Sequence, residues 1–198
     1  ELSREKAKAY DGLSAPGLNN AYLGKPWVLY FFPTLESETY TGIIVHYTLP
    51  ARRSLTDQEW TVRLIKYQHN GDLSRGGHFG YHFYIDGEGG IYQGAPMTYR
   101  TNHVKPSRSR HRKPLGRELN NKNSIGISMI GGCVAVGQGL GTSCVKEEIT
   151  PEQKQAGIAL IAALKERYSL GCLVYGHGEV QGDRAVFEGS TMAKHIRE

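Results

Sequence analysis

Cysteine is scarce in this chain: Cys133, Cys144 and Cys172 are the three present among 198 residues. That is too few for a scaffold held together mainly by disulfides. Long apolar runs are missing too, and mean hydropathy is -0.45. No segment offers the roughly 20 apolar residues that cross a bilayer as a helix, so the chain reads as soluble. The opening ELSREKAKAY is charged and lacks the apolar centre of a secretory signal. No internal repeat and no low-complexity block occurs, which excludes solenoids and biased linkers. The net charge of +5 and pI near 9.1 would attract polyanions. No helix-turn-helix or basic zipper accompanies that charge, so nucleic acid is not an expected partner.

What is present suits a packed domain. Hydrophobic residues make up 39% and charged residues 22%, enough for a real core in a chain of this length. Much of the positive charge lies in KPSRSRHRKPLGR, residues 105–117. That run reads either as a solvated loop or as a face for an anionic partner. A glycine-rich stretch separates Cys133 from Cys144. A local disulfide and free thiols are both compatible with that spacing.

Residues 1–40 read as an irregular extension, punctuated by LSAPGLNN, that packs on a main domain of residues 41–198. TGIIVHYT (41–48) is β-branched and nearly continuous in apolar character, as a strand covered on both faces should be. TDQEWTVRLIKYQ (56–68) opens with a capping box, Thr56 and Glu59, and continues at helical spacing. GYHFYIDGEGGIYQG (80–94) reads as a hairpin around an Asp-Gly turn. Ser124 to Ile130 is a further strand, and the glycine-rich residues 131–141 read as loop. Thr150, Pro151 and Gln153 open a second helix with an expected apolar stripe of Ile158, Ile161, Leu164 and Tyr168. A short strand from Cys172 to Gly176 precedes His177, and STMAKHIRE reads as final helical turns. The pattern predicts an α/β fold: one domain with a central mixed sheet flanked by helices.

Eight histidines are present. His78 and His82 have the four-residue spacing of a helical zinc pair, but they sit in an extended approach to a strand. Residues four apart there lie roughly 13 Å from each other, so we set the pair aside. His46 stands near the carboxyl end of a buried strand, and His177 follows a short apolar strand and a glycine in LVYGHGEV. Sites in α/β sheets gather at such strand ends. A zinc site needs a third donor, with Cys172, Glu179, Asp183 and Glu188 as candidates. Cys172 points to the other strand face, and Glu179 would have to reach over its own backbone. Asp183 and Glu188 both lie on a loop that can fold back.

Six pieces now line up in order: IIVHYT, FGYHFYIDGEGGIYQG, NHV, NKNSIGISMIGG, TPEQ and YGHGEV. From about Thr41 to Gly189 the chain resembles the type 2 N-acetylmuramoyl-L-alanine amidases, which include phage lysozyme-type amidases and peptidoglycan recognition proteins. The resemblance implies a zinc in a surface groove, bound by His46 and His177. The third family ligand is usually Cys or Asp. The matching position here is Glu188, a departure from that pattern, with Asp183 as second choice. A carboxylate supplies the same single negative charge as a thiolate.

The resemblance also implies roles for other residues. Tyr81, which otherwise reads as a core tyrosine sharing a face with Phe83 and Ile85, matches a tyrosine facing the metal-bound water. Some relatives carry a catalytic glutamate just after SIGI, where this chain has Ser128. A family lysine near the third ligand has no direct match, and Arg184 is the nearest cation that could steady an oxyanion. His103 matches a histidine lining the groove; Asn123 reads as a structural or substrate-positioning residue. The implied reaction cuts the bond between N-acetylmuramic acid and L-alanine of bacterial peptidoglycan. The implied setting is periplasmic, secreted or phage-encoded, acting on a host wall. A non-catalytic peptidoglycan-binding module of the same fold is the alternative.

Overall fold

The structure, a computed structural model, describes residues 18–19, 40–48, 80–95, 97, 101–104, 119–137, 143–168, 173–182 and 184–197. The expected helix over 56–68, the basic run 105–117, His78, Cys172 and Asp183 lie outside the described residues. Among the described residues six strands form one mixed sheet: β1 (Leu18–Asn19), β2 (Gly42–Tyr47), β3 (Phe83–Ile85), β4 (Ile91–Gln93), β5 (Ser124–Met129) and β8 (Val174–Gly176). Their order is β1-β4-β3-β5-β2-β8. Within this sheet, among the described residues, the expected hairpin, β3 with β4, pairs antiparallel and the other neighbours run parallel.

β2 shows why the sheet is covered on both faces. Ile43 and Val45 enter the larger core with Phe83, Ile127, Met129, Leu160 and Met192. Ile44, on the opposite face, packs with Val104, Leu119, Tyr175 and Val180. Strand periodicity of two therefore sends His46 to the second face, away from the larger core.

Helix α1 (Pro151–Tyr168) closes the first face. Its capping box forms as expected: Gln153 N–H donates to Thr150 Oγ1 at 3.0 Å, and Thr150 N–H donates to Gln153 Oε1 at 3.1 Å. Gln153 is itself buried, and its amide nitrogen also donates to the carbonyls of Ile85 and Ile130. The stripe differs from expectation in one position. Gly157, Leu160, Ile161 and Leu164 face inward, whereas Ile158 is 40% exposed. A Cβ at Gly157 would collide with the Met192 methyl and crowd that of Met129, so this inward position has no room for a side chain.

The loop expected over 131–141 is corrected. β6 (Cys133–Val136) pairs antiparallel with β7 (Ser143–Glu147) in a separate two-stranded ribbon. A Cys133–Cys144 disulfide ties the two strands. Short α2 (His177–Val180) follows β8 directly, and α3 (Ser190–Arg197) ends the described chain. Arg197 anchors that end: its two guanidinium nitrogens fork onto the Glu179 carboxylate at 3.0 and 2.8 Å. No helix among the described residues is long and apolar enough to cross a membrane.

Candidate metal centre

The register of two parallel strands brings the two strand-end histidines together. Val45 of β2 pairs with Gly176 of β8, so the next residues lie at the same level: His46, still in β2 and paired with Ser128 of β5, and His177, the first residue after β8. Their ring centroids are 4.3 Å apart, and both side chains are buried.

Glu188 joins them because glycines let its turn lie against the strand ends. Gly178 N–H donates to Glu188 O at 3.0 Å, and Glu188 N–H to Ala185 O at 2.9 Å. Gly189 has φ +71, and a Cβ there would strike the Val45 carbonyl oxygen. A Cβ on Gly178 would strike the Ala185 carbonyl oxygen in the same way. The outcome is Glu188 Oε1 at 2.8 Å from His177 Nδ1 and 3.5 Å from His46 Nδ1. One donor atom from each of the three residues lies within 4.8 Å of the others.

The outer nitrogens of both rings are occupied. His177 Nε2 lies 2.9 Å from Gln181 Oε1, and His46 Nε2 lies 3.0 Å from His103 Nδ1. His46 Nδ1 is buried, with Glu188 Oε1 at 3.5 Å and no closer hydrogen bond among the described residues. Burial, reinforced by the neighbouring His177, pulls the His46 pKa down to about 3. Burial also holds His103 well below its usual value. Burial by itself would raise the Glu188 pKa, but the close His177 contact and the attraction of His177 and His46 outweigh it and hold the group well below the usual carboxylate range. The cluster is therefore two imidazole nitrogens and one carboxylate oxygen facing one another in a buried setting.

That arrangement fits a tetrahedral zinc. Bond lengths near 2.0–2.2 Å put neighbouring ligand atoms roughly 3.3 Å apart, and the observed 2.8 and 3.5 Å separations straddle that value. His177 and Glu188 also line a cavity of about 400 Å³, together with Tyr81, Arg184, Tyr47 and Asn102, from which a metal held there would be reached. Tyr81 is half-buried there, its ring 4.8 Å from that of His46. Arg184 is exposed. The Tyr47 phenol, shielded and beside Glu188, is pushed up to about 12.

Not every candidate from the sequence is brought to this point. Asn123 accepts the Asn120 N–H at 2.8 Å in the turn before β5 and is not part of the cavity lining. Glu179 is held by Arg197 and by the Gly176 N–H. His103 edges the cavity but lies chiefly behind His46. His82 has its Nδ1 against the Gly126 N–H and Thr101 and its Nε2 against Tyr40. Gln181 was missed by sequence reasoning, although its place four residues after His177 is the helical spacing that puts two side chains side by side.

A family model described as N-acetylmuramoyl-L-alanine amidase matches residues 36–190. The chain belongs to this family. Its fold is shared with solved structures at low identity. The endolysin amidase LysCS from Clostridium intestinale URNW is 21% identical with a TM-score of 0.61, over 94% of this chain and 96% of that one. The bumblebee protein PGRP-SA is 19% identical with a TM-score of 0.60, over 92% and 95%. Drosophila PGRP-LB is 21% identical with a TM-score of 0.55, over 90% and 91%. Among curated proteins none matches the sequence.

Proposed function

We propose that this family member is a zinc-dependent amidase that hydrolyses the bond between N-acetylmuramic acid and L-alanine of the peptidoglycan stem peptide. The observation that carries the reading is the convergence of His46, His177 and Glu188, one donor atom from each within 4.8 Å of the others, beside an open cavity. Zinc bound there supplies a water of lowered pKa and a positive charge for the scissile carbonyl. The two imidazoles hold it as neutral donors and Glu188 as the single anion, which leaves the centre net positive. Tyr81, beside the His46 ring, hydrogen-bonds the attacking water or the developing oxyanion. Arg184 brings a cation to the same cavity and steadies that oxyanion. Asn123 acts on the turn before β5 rather than on substrate.

Residues 41–198 form the amidase unit in this reading, with residues 1–40 as its extension. The enzyme acts on the bacterial wall from the periplasm, after secretion, or as a phage product. A complete three-donor set favours catalysis over binding alone. Digestion of purified peptidoglycan tests this. New L-alanine amino termini should appear and a chelator should stop them. New reducing sugar ends without such termini would sink the assignment in favour of a glycosidase.

A further inference from the structure

The nitrogen of His46 that faces away from the cluster meets a second buried histidine, and the main chain decides which way that contact is polarised. His103 Nε2 lies 3.2 Å from the Ser124 carbonyl oxygen. A carbonyl oxygen only accepts, so this nitrogen carries the proton. Ser124 Oγ, 3.3 Å from the same nitrogen, gives its own proton to the Asn120 carbonyl and so also faces His103 as an acceptor. The neutral His103 ring is left with a lone pair on Nδ1. That lone pair is 3.0 Å from His46 Nε2, which must then be the donor. Neutral His46 keeps a bare Nδ1, the atom 3.5 Å from Glu188 Oε1.

The partner of the other ligand works differently. The Gln181 amide can turn over and offer either oxygen or NH2, so it suits either tautomer of His177. The Ser124 carbonyl is part of β5 and cannot. His103 is also built into its place. Its backbone N–H donates to Asn121 Oδ1 at 3.0 Å. A Cβ on Gly126 would lie only 2.8 Å from the His103 ring, so glycine at that position leaves room for the imidazole.

We propose that His103 is a positioning residue: it locks His46 as the Nε2–H tautomer, so that Nδ1 is unprotonated and aimed at the metal position before metal arrives. The inference rests on the zinc reading for the identity of the ion, and not on which bond the enzyme cuts. It is tested with the full chain by nitrogen-15 long-range correlation spectra and by zinc affinity from chelator competition. In the metal-free wild type at neutral pH, His46 should appear as the Nε2–H tautomer; an Nδ1–H tautomer overturns the proposal. His103→Leu removes the acceptor and should lower zinc affinity by roughly 10–100-fold, the range for outer partners of metal-bound histidines. His103→Gln keeps an amide oxygen for His46 and should restore most of the affinity. Unchanged affinity in His103→Leu also overturns the proposal. If that variant does not fold, the wild-type spectrum decides alone. Tight zinc binding with the expected tautomer but no new L-alanine termini would sink the amidase reading and leave this one standing. An Nδ1–H tautomer in an active enzyme would do the reverse.

Discussion

Glu188 carries the single formal charge among the three converging donors, and Tyr81 and Arg184 add a phenol and a cation from the cavity wall. Their replacements should therefore differ in kind. Tyr81→Phe should keep its zinc and lose roughly 10²–10³-fold in kcat, the size of one lost oxyanion donor. Loss of zinc along with activity would assign Tyr81 to packing instead. Acidity acts on the same cluster in the metal-free protein. The fold holds His46 neutral down to about pH 3 and His103 neutral well below its usual 6.5, whereas the unfolded chain protonates both near 6.5. Protons then bind the unfolded chain first, so stability falls as pH drops from 6.5 toward 3. Glu188 adds to the loss below its ordinary value of 4.5, because its folded pKa is depressed. Glu147 opposes it, since burial raises its pKa and the folded form takes the proton first. Between pH 7 and 4.5 the two buried histidines act against Glu147 alone, and the urea midpoint at pH 4.5 should lie below that at pH 7. Equal midpoints would contradict the buried neutral histidines.

Elements place these side chains, and the tightest constraint is the turn that carries Glu188. Gly189→Ala puts a Cβ on a residue at φ +71 and against the Val45 carbonyl. It should cost on the order of 1–3 kcal/mol, as strained backbone positions do, and zinc affinity should fall because the turn moves away from β2 and β8. Wild-type affinity in that variant would show that the turn does not set the donor. The elements also differ in how far the sequence disclosed them. β2, the β3–β4 hairpin and the α1 capping box were legible because local chemistry and burial agree there: β-branched residues on a doubly covered strand, Asp-Gly at a tight turn, Thr and Gln at helix start. The β6–β7 ribbon was not legible, since its flanking glycines read as loop and its pairing needs Glu147 opposite Cys133, fourteen residues away. Ile158 misled because apolar character alone does not say which flank of a helix meets Met192. At the site, the strand-end positions of His46 and His177 were legible. The contacts of His46 with His103 and of His177 with Gln181 were not, because which nitrogen meets which acceptor depends on the folded register.

Across the whole molecule, one sheet edge gathers the chemistry. β2 and β8 deliver the histidines, the turn before α3 delivers the carboxylate, and the cavity borders all of them except the fully buried His46. A ligand that needs the folded arrangement stabilises it by mass action. Zinc at 100 times its Kd should add about 2.7 kcal/mol and raise Tm accordingly. A chelator should reverse the shift, and a Tm indifferent to zinc would deny the site. The central claim is the identity of the three donors, and metal content measures it most directly. After dialysis against zinc and removal of the excess, wild type and Asp183→Ala should each retain about one zinc per chain, and Glu188→Ala should retain almost none. Zinc kept by Glu188→Ala and lost by Asp183→Ala would contradict the account.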